Sequence, residues 1–391
     1  MTRTLPEHER VDGFDDDRDS HDTADRGHDD GDHTDDTDRF PRVDEDEPRR
    51  VIRARGPADR VALIGSAAAG FALVWVVYQR LLPTSGLLGF AVCWYAAFLL
   101  VYTLVTLQRH GAVEVVDRMA AVVVRTGAAL VGASLVLVIG YTIISGLDAM
   151  QYANFYTEEL IYTDPADLRQ GGILHAVVGT LEQLAISVAI TLPLGIACAV
   201  YLTEVGGRLA KVVRTLIEAM TGLPSIVAGL FIYVAAIQLL GVQRSGFAAA
   251  LALSVMMLPI ITRSADVVLR LVPNGLREAS LALGSSQWQT IWRVVLPTAR
   301  PSLATALILG VARGAGETSP VLLTAGYSQF LNANPLVDWQ TSLPLFVYQV
   351  FRLPDEAMAA RAFGAATVLL LLVLLLFVIA RLVARGKRGE R

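Results

Sequence analysis

From Val61 onward the chain alternates long apolar runs with shorter polar segments. A helix that crosses a bilayer needs about 17–25 predominantly apolar residues. Runs of that kind lie near residues 61–78, 87–107, 127–145, 181–202, 216–240, 247–265, 302–324 and 362–384. The sixth is short, and the fourth extends back toward Ile173. The pattern predicts an all-α polytopic membrane protein of about eight helices. Within it Pro193 and the turn Gly222-Leu-Pro224-Ser225 predict kinks or broken helices, and Gly314 and Gly316 weaken the seventh run. Such interruptions are tolerated where neighbours or a water-filled cavity satisfy the freed backbone groups.

Eight crossings place both termini on one side, and Arg placement chooses it. The collar Arg49, Arg50, Arg53, Arg55 and Arg60 falls on that side with Arg109/Arg118/Arg125, Arg208/Lys211/Arg214, five Arg in the loop 263–300 and the tail after Arg381. The opposite loops carry Asp148, Glu158, Glu159, Asp164, Asp167, Asp338, Asp355 and Glu356. An excess of basic residues marks cytoplasmic loops, so both termini are expected there. The outer loops, 146–172 and 325–360, are long and rich in Tyr, Asn, Gln and Trp. That suits contact with an outside partner; Tyr152, Tyr156, Tyr162 and Trp339 equally suit interfacial anchoring in lipid.

Charge changes the picture at the start of the chain. Residues 1–60 hold 20 of the 37 acidic residues and four of the six His. With almost no aliphatic residues this stretch cannot bury enough surface to offset ordering entropy, and it is expected to be a disordered acidic tail. The net charge of −4 therefore belongs to the tail. Cys93 and Cys198 both lie in apolar runs and offer neither a disulfide nor a metal framework. No signal peptide precedes the first apolar run. The expected layout is thus a tail at 1–60, two helices and a linker at 61–126, a membrane domain at 127–385 and a basic tail at 386–391. No nucleic-acid partner and no cofactor or metal bound by this chain is expected.

Two stretches carry chemistry. The first is the loop around 278–297, where Glu278-Ala279-Ser280, Gly284, Val294 and Leu296-Pro297 suggest two short helices hinged at the glycine, which can take a left-handed cap conformation. In the second of these, Trp288, Ile291, Trp292 and Val295 fall at i, i+3, i+4 and i+7 and form one apolar stripe. Such a helix at a membrane boundary either lies on lipid or fills a groove.

The second stretch is Arg313–Pro320, RGAGETSP. Arg313 lies about 11 residues into the run 302–324, roughly 17 Å along a helix and near the bilayer midplane. A charge at that depth costs at least about 2.5–3.5 kcal/mol unless paired or facing water. Glu317 at i+4 can reach it, and Thr318 and Ser319 add hydroxyls. Either the two charges form a permanent structural pair, or Arg313 offers its planar donor fork to a tetrahedral oxyanion and Glu317 holds the fork when the path is empty. Elsewhere, His175, Glu182 and Gln183 near an outer helix end either line an entrance or, the simpler reading, are solvated at the interface. Arg263 and Asp266 suggest a gate-side or structural pair.

The spacing Glu278-Ala-Ser, three residues, Gly284, nine residues, Val294, one residue, Leu296-Pro297 resembles the EAA loop of ABC importer membrane subunits, with Val for Ile and Ser for the second Ala. The segments GLPSIVAGLFIY (222–233), RGAGETSP and SLPLFVY (342–348) are similar to phosphate-specific permeases of the PstA type, and the likeness covers about residues 172–385. The resemblance implies a type I importer core of about six helices with two added at the N-terminus. It also implies that Glu278, Ala279, Ser280, Gly284, Trp288, Trp292, Leu296 and Pro297 couple to an ATPase, and that Arg313 and Glu317 serve phosphate passage. The implied partners are a PstC-type permease subunit, two ATPase subunits, an extracellular phosphate-binding protein, membrane lipid and inorganic phosphate as cargo. No GxxxxGK[ST] motif occurs, so ATP is expected to be hydrolysed by partner subunits and not by this chain. Gly314 departs from the family, which more often has a bulkier residue there. A sulfate or molybdate permease shares the loop and is the nearest alternative; an ion-coupled secondary transporter is a more distant one.

Overall fold

The structure is a computed structural model and describes residues 57–80, 86–109, 112–161 and 164–384. The expectations for the tail before residue 57, for Arg49–Arg55 of the collar, for Tyr162 and for the basic end 386–391 lie outside the described residues. The chain divides into two compact units, residues 1–119 and 120–391.

In the first unit α1 (Pro57–Arg80) and α2 (Leu87–Arg109) form an antiparallel hairpin. Phe71 and Trp75 stack along α1 and meet Phe90 and Trp94 of α2 edge to face, and the Trp94 indole Nε1 donates to the Ala67 carbonyl at 3.0 Å. Helix α3 (Ala112–Met150) then runs from the first unit into the second. Arg118 and Arg125, expected in a polar segment ahead of a helix at 127, lie inside α3. Arg118 is neutralised locally, by Asp59 at 2.7 Å and Glu114 at 2.8 Å.

The second unit continues with α4 (Asn154–Thr157), α5 (Leu174–Val200) prolonged by a wide π turn (Tyr201–Val205), and α6 (Arg208–Thr221). Next come α7 (Ser225–Ile232) with its π turn (Tyr233–Leu239), α8 (Gly246–Arg270), α9 (Asn274–Ala282) and α10 (Gln287–Thr290). A π turn (Ile291–Val295) leads into α11 (Leu296–Ala315), followed by α12 (Ser319–Thr324), α13 (Leu343–Val350) and α14 (Glu356–Ala384). Seven helical segments among the described residues are long and apolar enough to cross a membrane, or up to eight if α6 and α7 are counted as one bent span.

That bent pair is the break expected at Gly222-Leu-Pro224-Ser225, and it takes the first residues of the run 216–240 out of the span. α6 and α7 meet at 108°, so residues 216–221 belong to a helix that turns away from the span. The physical reason is local. Gly222 ends α6, and Pro224 both lacks a donor and disfavours helical backbone at Leu223 before it. By contrast α5 passes through Pro193 without ending. The fourth helix starts at Leu174, as its backward extension suggested.

Helix α8 is the centre of the unit, packed mainly against α5 and α11. Its Ala248, Ala249, Ala250 and Ala252 are fully buried. Ile261 sits between Gly195 of α5 and Gly310 of α11, and Met257 presses on Gly314. Without a hydrophobic force between helices in lipid, such small residues gain association through close van der Waals contact. Gly229 of α7 makes a similar close approach: a Cβ there would stand 2.6 Å from Pro320 Cα. Because the obstacle is backbone, Gly229→Val is expected to separate α7 from α12. The cost should be about 1–3 kcal/mol or more, read as a lower melting temperature of the detergent-solubilised protein.

The expected outer loop 325–360 is not simply a loop. It contains α13, whose Leu343, Leu345 and Phe346 are fully buried. At eight residues the segment is too short to register as a span, yet it is apolar enough to be core. His175 and Gln183 are likewise buried instead of solvated: His175 packs edge-on to Phe346, and Gln183 Nε2 donates to the Gln340 carbonyl at 3.2 Å. Arg361, at the start of α14, is fully buried. Its guanidinium donates to the carbonyls of Pro165 (2.9 Å), Gln170 (2.8 Å) and Asp167, which fixes the 164–172 segment.

Candidate functional site

The run 302–324 is not one helix. α11 stops at Ala315, Gly316 caps it, and α12 begins at Ser319 with Pro320 in its first turn. A glycine at a helix stop and a proline just inside a helix start are ordinary boundary residues, and here they fall four residues apart. Arg313 therefore sits in the last turn of a helix and not midway along one. There the partial negative charge of the helix C-terminus favours a cation.

Arg313 Nε and Glu317 Oε1 are 3.4 Å apart, an ion pair too loose for a directed hydrogen bond. Their environments differ: the Arg313 side chain is 55% exposed and that of Glu317 15%. The guanidinium makes no hydrogen bond among the described residues, so its donor fork is uncommitted. It also stands at the end of an exposed stripe. Thr298, Ser302, Thr305, Leu309 and Arg313 all face away from the rest of the chain, whereas Ala306, Ile308, Gly310 and Gly314 of the opposite face are buried. Sequence inspection missed this lane of hydroxyls, although the i, i+4, i+7 spacing of Thr298, Ser302 and Thr305 was there to be read. Thr318 and Ser319 are half-buried at the break. Gly314 is a packing position against Met257, while Gly316 is the helix stop.

The second cluster is the loop between α8 and α11. Two short helices occur as the spacing suggested, and no residue of α9 is buried. Glu278 and Ala279 are exposed, and Ser280 Oγ shares a hydrogen bond of 2.9 Å with Thr290 Oγ1. Gly284 adopts φ +84°, a left-handed backbone that costs most other residues about 1–2 kcal/mol. Ser286 then caps α10, its Oγ accepting from Gln289 N while the Gln289 side chain accepts from Ser286 N.

The aromatic stripe splits in two. Ile291 and Val295 enter a core with Ala199, Val200, Ala265, Leu269, Val272 and Ala299, against which Leu296 packs, and Pro297 opens α11. Trp288 and Trp292 stay exposed, stack edge to face at 5.7 Å, and line a groove against Pro193, Ala197 and Tyr201 of the α5 segment.

What holds the loop is a residue the sequence did not single out. Arg277 Nη2 lies 2.9 Å from Glu204 Oε1, and the pair is largely buried, at 18% and 9% exposure. The same guanidinium donates to the carbonyls of Val272 (2.6 Å) and Leu269 (2.9 Å). Gln287 Nε2 donates to the Glu204 carbonyl at 2.7 Å. The π turn after α5, the end of α8, α9 and α10 are thus tied at one point. The expected Arg263–Asp266 pair is not formed; Asp266 accepts instead from Arg270 at 3.2 Å, the i+4 partner on its own face. No group of three or more His, Cys, Asp or Glu positioned for a metal ion occurs among the described residues.

Residues 191–389, which contain both clusters, match the family described as "Binding-protein-dependent transport system inner membrane component". The chain is 41% identical over 240 residues to the phosphate transport system permease protein PstA 1 of Mycobacterium tuberculosis H37Rv, covering 61% of this chain and 78% of that one. It is 38% identical over 221 residues to the PstA of Pasteurella multocida, covering 56% and 78%. The PstA of Yersinia pestis is 33% identical over 256 residues, covering 65% and 85%. The chain is a multi-pass membrane protein that belongs to the family of inner membrane components of binding-protein-dependent transport systems, of the PstA type.

Proposed function

We propose that this chain is a permease subunit of an ATP-driven importer for inorganic phosphate. The observation that carries the reading is the uncommitted Arg313 fork, held at a helix break on the open face of α11, in a chain about 40% identical to PstA permeases. A phosphate oxyanion is matched by a planar guanidinium, which can donate two parallel hydrogen bonds. Glu317, loosely paired with it, returns the fork to a resting position and limits how tightly the anion is held.

In this reading the exposed face of α11 meets a PstC-type permease, and the path runs between the two subunits. Both termini are cytoplasmic, because the Arg-rich end carries α9 and α10. α9 presents Glu278, Ala279 and Ser280 to one of two ATPase subunits, and Gly284 sets its angle to α10. Trp288 and Trp292 seat the loop on α5, and Leu296 and Pro297 pass its displacement into α11. The helix stops at Gly222, Pro224 and Gly316 are where the spans give way as the path opens outward to an external phosphate-binding protein. α1 and α2 with the preceding tail are additions to a six-span core; the relatives' matches leave about two-fifths of the chain uncovered.

The test is uptake by the assembled transporter in vesicles. Labelled phosphate should accumulate only with ATP on the α9 side, and unlabelled phosphate should compete while sulfate and molybdate do not. Equal competition by sulfate or molybdate, or uptake driven by an ion gradient without ATP, would overturn the assignment.

A further inference from the structure

Helix α6 is neither a span nor a loop, and its 14 residues sort into three flanks. Ala210 and Ile217, with Val213 partly buried, face the chain and pack on Leu202 and Tyr201. Leu209, Val212 and Leu216 point the other way and are exposed. Arg208, Lys211, Arg214 and Thr215 are exposed on the remaining flank, with Glu218 as the single acidic residue of the helix. None of the three cations makes an ion pair among the described residues.

The turn at Gly222–Pro224 sets α6 at 108° to α7, close to perpendicular to a span. A helix so placed at the Arg-rich end lies in the plane of the membrane surface. An apolar flank beside a basic one is the arrangement by which such helices sit in the headgroup boundary, apolar side in the acyl region and cations among phosphates. Leu223 in the turn and then Ile226, Val227 and Leu230 of α7 are exposed as well.

We propose that α6 is an interfacial helix that binds anionic phospholipid of the cytoplasmic leaflet. Leu209, Val212 and Leu216 enter the acyl boundary, and Arg208, Lys211 and Arg214 collect the phosphates. Charge complementarity selects lipid over a protein cover: three unpaired cations beside an apolar strip match a lipid's phosphate and chain, whereas a protein face would have to supply its own acids at the same depth. The proposal rests on the orientation given above but not on the cargo, so its test reads lipid contact and not transport.

The assembled transporter, carrying Cys93→Ser, Cys198→Ala and Val212→Cys labelled with bimane, is reconstituted into phosphatidylcholine with brominated phosphatidylglycerol, or the reverse. Each basic residue near an anionic surface is worth about fivefold. Brominated phosphatidylglycerol should therefore quench several-fold beyond its mole fraction. In Arg208→Gln/Lys211→Gln/Arg214→Gln that preference should fall to about one. Quenching by brominated phosphatidylcholine should persist in that variant, showing that the exposed-residue changes leave the helix seated. No quenching by either lipid would mean that a protein covers the flank. An unchanged preference in the triple variant would mean that its cations do not select the lipid. Either result overturns the proposal.

Discussion

Arg313→Lys is expected to lower ATP-driven phosphate uptake roughly 10–100-fold while leaving the amount and melting temperature of the assembled transporter unchanged. The size follows from what is lost. Lysine keeps the charge but not the planar fork, and hydrogen bonds to charged groups contribute about 1.5–3 kcal/mol; each 1.4 kcal/mol is about tenfold. Stability should not follow, because the Arg313 side chain is more than half exposed and its contact with Glu317 is loose. Arg313→Met with Glu317→Leu separates path from packing. If the two charges were only a structural pair, replacing both with apolar side chains would preserve assembly and uptake alike. The expected result is an assembled transporter that moves no phosphate, and wild-type uptake by the double variant would end the substrate-path assignment.

The second large effect is expected at the tie that holds α9 and α10 to the α5 segment. Arg277→Met should leave Glu204 buried without its partner and free two backbone carbonyls. Breaking a buried pair from one side costs about 3–5 kcal/mol, more than enough to release α9 and α10 from the α5 segment. The predicted outcome is a drop in phosphate transported per ATP hydrolysed, with ATP hydrolysis by the partner subunits continuing. Glu204→Gln should fall between wild type and Arg277→Met, because the Leu269 and Val272 carbonyls still hold the guanidinium. Reversing the pair, Arg277→Glu with Glu204→Arg, should not rescue coupling, since a carboxylate cannot donate to those carbonyls. An unchanged transport-to-ATP ratio in Arg277→Met would show that the loop does not act through this contact.

The fold was legible in the sequence wherever one physical quantity decides it. Apolar length against bilayer thickness placed the spans, and a glycine between two short amphipathic runs placed α9 and α10. Where two rules compete, apolar length had to be read against the glycines and prolines inside it. Residues 216–240 and 302–324 are apolar enough to cross, so hydropathy alone reads each as one helix. The backbone chemistry of Pro224, and of Gly316 with Pro320, breaks them nonetheless. α13 escaped because eight residues fall below bilayer length even though they are core. For the site, Arg313 and Glu317 stood out because an ionised group amid apolar residues is costly. Arg277 did not, because an Arg in a basic loop is unremarkable until its partner, 73 positions away, is seen beside it. Likewise Trp288 and Ile291 belong to one stripe by spacing and to two surfaces in space.

Arg361 bears on how this protein can change over time. It grips the loop segment 164–172 through the carbonyls of Pro165, Asp167 and Gln170, groups that every amino acid supplies. The course of that loop is therefore largely uncoupled from which side chains decorate its outer surface. Exposed positions such as Ala166 and Arg169 are free to drift or be recombined while the backbone beneath them keeps its shape. A lineage can thus vary the exposed face of this loop without redesigning the helical core, provided that one arginine is kept. Replacing it would couple the two again and make each outer substitution a structural event.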